Sequence, residues 1–387
     1  MISKVNNLPV LTWNKLKINN ADFDTSFVDG NVDAAPIPIC DWPVGFALGV
    51  MKQDELSEYF EDLDISNPSE KYVAGKFPIY NEQKFATGMG AEIDKLFAKT
   101  DATYTVCEIR ENYNDETPVV WKYEPGDSHL LAGSVIRVKA GSRAVIVMYV
   151  RKDDDDDGKK TDGSFVGFST RIIVEDGASL KLIKVQRLPE SYTFFDDIGT
   201  VVGKNANLEI VKLDLGAGKV YEGLNTLQKG DESTFRADFG YVGLRDSFLD
   251  LNYNDVFVGK KCEGVMRFSE ALFGNAYKAL RDTIDFRQDS TGSSGDEQED
   301  VLMFGADVVN KSIPLILCEE EDVEGRHAAT LGKLSDEMLF YMQTRGLDRK
   351  TAEKIIAAAS INNLNNKVPV ESIREDVRGY IERTLAE

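Results

Sequence analysis

Three ten-residue stretches decide how this chain folds: Val138–Val147 (VKAGSRAVIV), Val174–Ile183 (VEDGASLKLI) and Val202–Val211 (VGKNANLEIV) align without gaps. Each opens on an apolar residue, passes through a polar turn carrying Gly or Asn, and continues in the period-two alternation of a strand. Looser copies begin near Leu227 and Val258, so the starts lie 36, 28, 25 and 31 residues apart. A unit of that length made only of strands and turns cannot bury its own apolar face, whereas stacked copies share one continuous core. These spacings suit the coil of a β-helix better than a propeller blade of about 40–50 residues. The expected fold is mainly β, a solenoid, with an irregular β-sandwich as the competing arrangement.

Outward from the repeats the texture changes. Residues 1–100 read as an N-terminal region of short helices and loops, broken by Pro36, Pro38, Pro43, Pro68 and Pro78. Within it Met89, Ile93, Leu96 and Phe97 form an amphipathic stripe ending near Lys99, and a second helix runs from Asp54 to Leu63. The β-helix core is expected over 101–333 and a C-terminal helical region over 334–387. There Ser335 starts a helix and Gly346 stops it. Asp348 caps a second helix with its apolar residues at Ala352, Ile355, Ile356 and Ala359, and Ile373, Val377, Ile381 and Leu385 stripe a third. These helices either cap the solenoid end or present a face to a partner.

Composition narrows the function. Lys+Arg 45 against Asp+Glu 66 gives a net charge of −21, which argues against binding nucleic acid or an anionic membrane surface. With 42% apolar and 10% aromatic residues the chain has the means to fold, so wholesale disorder is excluded. The longest apolar run, Ala144–Val150, is too short to span a bilayer. No hydrophobic stretch follows Lys4, so no secretory signal is visible and a cytoplasmic location is expected. Cys40, Cys107, Cys262 and Cys318 are scattered with no CxxC, which argues against a disulfide framework or a self-contained zinc or iron–sulfur site. The sequence contains no phosphate-loop, GxGxxG, GxSxG or HExxH motif.

Only two histidines exist, so each carries weight. His129, in PGDSH, reads as a turn residue. His327 follows the acidic run Glu319–Asp322; a neutral imidazole there can ligate Fe or Zn, and the carboxylates favour cations nearby. The competing reading is a satisfied hydrogen-bonding residue at a domain junction. Asp153–Asp157 reads as a solvated loop, and 288–300, with Ser293, Ser294, Gly295 and Glu297, as another polar loop. Asn252, Asn254 and Asp255 either satisfy turns or line a polysaccharide-facing groove.

Larger motifs carry a resemblance. EDVLM (299–303), VVN (308–310), PLILCEEEDVEGRHAAT (314–330) and LFYMQTRG (339–346), with LPVLTWNKL (8–16) and ALRDTIDF (279–286), resemble the SufD branch of the SufB/SufD family of iron–sulfur cluster assembly proteins. The resemblance implies a right-handed parallel β-helix flanked by helical regions. It also implies a scaffold, not an enzyme, in a complex with a SufB-type scaffold and a SufC-type ATPase, the latter docking on about 334–360. His327 would be the residue meeting iron or a nascent iron–sulfur cluster at the interface with SufB. Reduced flavin and a part in iron supply are implied for the complex, although no motif here locates either, and a homodimer is implied as an option for the isolated chain. SufB-type members have His-Glu-Ala-Thr and a cysteine about 28 residues upstream; this chain has Ala328, and the ungapped count lands on Glu299. The family's usual glycine after the histidine is also Ala328, which puts a tight turn there in question. Cys318 reads as a buried strand residue. The alternative from another class is a β-helix polysaccharide lyase or hydrolase.

Overall fold

The computed structural model describes residues 2–10, 16–29, 32–34, 38, 40–60, 85–100, 102–126, 129–152, 164–332 and 336–386. The Asp153–Asp157 run, Trp13, Pro36, Pro68, Pro78 and Ser335 lie outside these residues, as does the stretch beyond Phe60 in the helix expected to Leu63.

Short strands β1 (Ile2–Val5), β2 (Ala21–Asp24) and β3 (Val32–Ala34) precede β4 (Phe46–Lys52), so the N-terminal region supplies strands as well as the helices α1 (Gln53–Tyr59) and α2 (Ala91–Lys99). The rest of the β structure is a parallel solenoid of about seven turns. One wall runs, in stacking order, through β4, β5 (Thr103–Ile109), β7 (His129–Val138), β9 (Phe165–Val174), β11 (Thr193–Val202), β13 (Lys219–Gln228), β15 (Phe248–Phe257), β17 (Tyr277–Phe286) and β19 (Val309–Cys318). The other runs through β6 (Val119–Tyr123), β8 (Arg143–Arg151), β10 (Ser179–Arg187), β12 (Asn207–Asp214), β14 (Thr234–Gly243), β16 (Glu263–Phe273), β18 (Ser294–Phe304) and β20 (Glu324–Gly332). Every coil stacks in parallel on the last; among the described residues of the two walls only β4 pairs antiparallel, at the first end, while β1 and β2 form a separate antiparallel pair.

The stacking register is the sequence alignment. Ser179 lies opposite both Arg143 and Asn207, the sixth residues of the three aligned stretches. Their first residues, Val138, Val174 and Val202, also pair. Downstream, Gln228 and Phe257 take the first position and Thr234 and Glu263 the sixth. The turn between them is therefore one residue longer, and the copies read at Leu227 and Val258 start one residue early and one residue late.

Both faces of the walls are largely covered in the middle coils. Inside, Ile146, Leu182, Ile210, Phe239 and Phe268 belong to one continuous buried core. Phe239 stacks on Phe268 with centroids 4.9 Å apart, a contact worth about 0.5–1.5 kcal/mol beyond its burial. Outside the first wall lies the N-terminal arm, where Gly88 and Gly223 let two backbones touch: a Cβ on Gly88 would sit 1.9 Å from the Leu224 nitrogen. Arg281 of the ALRDTIDF motif faces this arm, binding Asp250 (2.7 and 3.0 Å) and the Ile18 carbonyl (2.5 Å). Asn252 faces it too, donating to the Gly88 carbonyl (2.7 Å); Asn252 and Asn254 are both buried, so they line no open groove.

The C-terminal helices α3 (Asp336–Thr344), α4 (Arg349–Asn365) and α5 (Glu371–Ala386) follow the solenoid. They do not cap its end; α4 and α5 lie along the flank of the second wall, sharing a core with Val147, Ile183, Val211 and Leu213. The stripe on α5 is buried as its spacing requires, but α4 is rotated from the expected phase. Ala352, Ala357, Ile361 and Leu364 are buried while Ile355 and Ala359 are exposed, because α4 packs against both a curved sheet and α5.

Charged residues also enter the lumen. Lys212 Nζ contacts Asp196 (2.6 Å) and Glu222 (2.9 Å), Lys184 contacts Asp196 (2.6 Å), and Tyr253 donates to Glu222 (2.6 Å). Farther along, Asp255 accepts from Gln228 (3.0 Å to each oxygen), and burial pushes its carboxyl up to about 8. The folded chain therefore keeps this proton to about pH 8, whereas the unfolded chain releases it near pH 4. Between those values the unfolded state binds fewer protons, so stability falls as pH rises, by at most about 1.4 kcal/mol per unit from this group. Asp255→Asn is expected to remove that component. Urea midpoints at pH 5 and pH 8 should differ less for the variant than for the parent, and equal differences would refute this account.

A candidate metal centre at the open end of the solenoid

The last coil is an edge. β19 and β20 end their sheets, and β20 is exposed along nearly its whole length. Val309, Ile316 and Leu331 are exposed there. Cys318, expected inside, is exposed because no further coil among the described residues covers it; its thiol donates to the Glu320 carbonyl (3.0 Å). Ala328 lies within a strand and not in a turn, so replacing glycine there removes nothing the backbone needs. His129 begins β7, where its Nδ1 accepts from the Phe165 amide (3.1 Å).

His327 sits in β20 directly opposite Glu297 of β18, and its Nδ1 hydrogen-bonds the Glu297 carboxylate. Asp282 reaches the same point from β17 on the opposite wall. Ligand atoms of Asp282, Glu297 and His327 lie within 4.8 Å of one another. The two carboxyls are buried, at 3% and 2% exposure, while the His327 side chain is 31% exposed. The centre is thus seated in the lumen and open at the end.

Its electrostatics follow from that seating. Burial pushes the Glu297 carboxyl up to about 7. Asp282 is held well above the usual carboxylate range, first by burial and then by its hydrogen bond to Glu297. Neighbouring carboxylates in a poorly solvated space cannot all ionise unless a cation compensates them. One imidazole and two carboxylates form a mixed nitrogen–oxygen donor set suited to a borderline divalent ion such as Fe2+. Three protein ligands leave coordination positions free on the exposed side.

Asp282 and Glu297 are residues the sequence reading missed. The stretch 288–300 reads as a loop because its inward positions carry Gly295, Glu297 and Glu299 where β14 carries Phe235, Ala237 and Phe239, but β18 begins at Ser294. The usable signal is a carboxylate at an inward position of an otherwise regular coil. The same holds for Asp282, between inward Leu280 and Ile284.

Comparison with known proteins places the chain in a family. The chain is 21% identical over 281 residues, 72% of its length and 63% of the relative's, to the iron–sulfur cluster assembly protein SufD of Bacillus subtilis. It is 22% identical to a SufBD family protein of Pyrococcus horikoshii, covering 53% of this chain and 46% of that one. For a SufBD family protein of Mycobacterium leprae the figures are 22% identity over 76% of each chain. The chain thus spans about half to two thirds of the first two relatives. No helix among the described residues is long and apolar enough to cross a membrane. The profile described as "SUF system FeS cluster assembly, SufBD core domain" matches residues 124–360, from the first coils of the solenoid into α4, and the chain belongs to that SufBD family of iron–sulfur cluster assembly proteins.

Proposed function

We propose that this chain is a non-catalytic scaffold subunit that presents His327, Glu297 and Asp282 to iron or a nascent iron–sulfur cluster as cargo. The observation that carries the reading is the placement of these three ligands at the one end where β19 and β20 keep unpaired edges. A SufB-type subunit continuing both sheets from that edge would bring its own ligands to the free coordination positions. Unlike charges and buried carboxylates supply what the chain itself contributes: Glu297 orients the imidazole, and Asp282 and Glu297 surrender protons as the ion enters. Flavin is assigned to the assembled complex and to no residue of this chain.

A SufC-type ATPase is placed on α3 and the start of α4, about 334–360. Phe340 (68% exposed), Tyr341 (58%) and Met338 (50%) present an apolar face there, while buried Leu339 anchors the helix to the core of α4 and α5. ATP hydrolysis belongs to that partner. The test is co-purification with SufB-type and SufC-type proteins, comparing the full chain with one ending at Lys333. The full chain is expected to recover both partners and the shortened chain only the SufB type. Recovery of neither by either chain, or a homodimer that excludes the SufB type, overturns the reading.

A further inference from the structure

Beside the His327 centre, one step deeper in the lumen, lies a second acidic compartment that already contains a cation. Lys278 and Asp282 are four residues apart on β17 and face the same side, and Glu297 and Glu299 are two apart on β18 and do likewise. The Lys278 ammonium contacts Glu299 and Glu270 of β16, all three wholly buried. Ser312 of β19 donates to Glu299 (2.6 Å), fixing one side of the compartment. The other oxygen of Glu270, Oε1, is buried with no partner, and so are both amide atoms of Asn310, the residue opposite Lys278 in register. Lys278 acts electrostatically on Glu297 and Glu299 acts on Asp282, so the two compartments form one field.

Resting on the His327 reading, we propose that Lys278 is a tethered cation occupying the inner half of a two-compartment acidic site, and that it limits the site to one bound metal ion. The four carboxylates Asp282, Glu297, Glu299 and Glu270 face one ammonium. One divalent ion beside His327 brings the set within one charge of neutrality, and a second would have to displace the ammonium from both its partners. Without Lys278, Glu270, Glu299 and Asn310 offer oxygen ligands to a second ion, and two divalent ions balance four carboxylates. A tethered ammonium cannot leave, so it enforces stoichiometry where a bound ion would not.

The test is Mn2+ binding to the full-length chain by equilibrium dialysis, with excess Mg2+ filling weak surface carboxylates. The parent is expected to bind one Mn2+, Lys278→Met two, and Lys278→Arg one, because the arginine keeps the charge. Lys278→Met/Glu270→Gln should return to one, since the inner compartment loses a ligand. If Lys278→Met unfolds in chelator, two equivalents of Mn2+ must restore its circular dichroism, and no recovery overturns the proposal. A single ion on both parent and folded Lys278→Met overturns the proposal and leaves the His327 reading intact. No ion on the parent overturns the His327 reading itself.

Discussion

Replacing His327 with alanine is expected to leave the solenoid folded and abolish tight divalent-metal binding. The side chain lies on an exposed strand and belongs to no part of the apolar core, so the fold should persist; losing its hydrogen bond to buried Glu297 should cost about 1–3 kcal/mol. Metal affinity behaves differently. Residues that merely support a ligand are worth about 10–100-fold, so loss of the imidazole itself should weaken binding by about 100-fold or more. Glu297 and Asp282 would remain, but with burial favouring their protonated forms they would hold protons instead of an ion. Dialysis with Fe2+ under anaerobic conditions, alongside a melting curve, separates the two quantities. In the reconstituted complex cluster yield should fall without loss of assembly, and an unchanged yield would remove His327 from the site.

Lys212→Met is expected to be strongly destabilising although it nearly preserves volume. Lys212 is the shared partner of Asp196 and Glu222, both wholly buried, and its attraction to those carboxylates holds its ammonium protonated despite burial. Removing one member of such a cluster strands a charge where water cannot reach it, at a cost of about 3–5 kcal/mol. Asp196 keeps Lys184, so the larger part of the loss falls on Glu222, whose remaining partners are the neutral donors Tyr241 and Tyr253 and the Asp214 carboxyl, which burial and Glu222 hold well above the usual carboxylate range. Lys212→Met/Glu222→Gln should therefore recover a substantial part of the stability, and the two changes should be strongly non-additive in urea unfolding. Additive losses would show that the cluster is a set of independent contacts.

Much of this architecture is legible in the sequence because parallel stacking translates register directly into alignment. Position six of the repeat, Arg143, Ser179 and Asn207, is a column of hydrogen-bonded neighbours. Legibility fades where turns lengthen, at Gln228 and Phe257, and where inward positions stop being apolar, at Gly295, Glu297 and Glu299. That second failure coincides with the candidate site: the substitutions that erase the strand pattern are the ones that build the centre. His327 stands out by scarcity and by its motif, but its partners come from two other strands, 30 and 45 residues earlier in the sequence, and no local pattern links them. The C-terminal stripes predict buried faces without saying against what, and α4 settles on a flank that only the folded walls create.

The in-register stacking has a consequence for how such a molecule can change its size. Strands in a wall are spaced by about 4.8 Å, and among the described residues the candidate metal centre draws on β17, β18 and β20. The solenoid is therefore a ruler whose graduations are whole coils and whose working tip is made by the final ones. A coil added or removed upstream shifts the tip by one graduation relative to β4 at the first end of the solenoid without altering a single ligand. Reach and chemistry are independent variables in this fold, set by the number of repeats and by the identity of the last few strands.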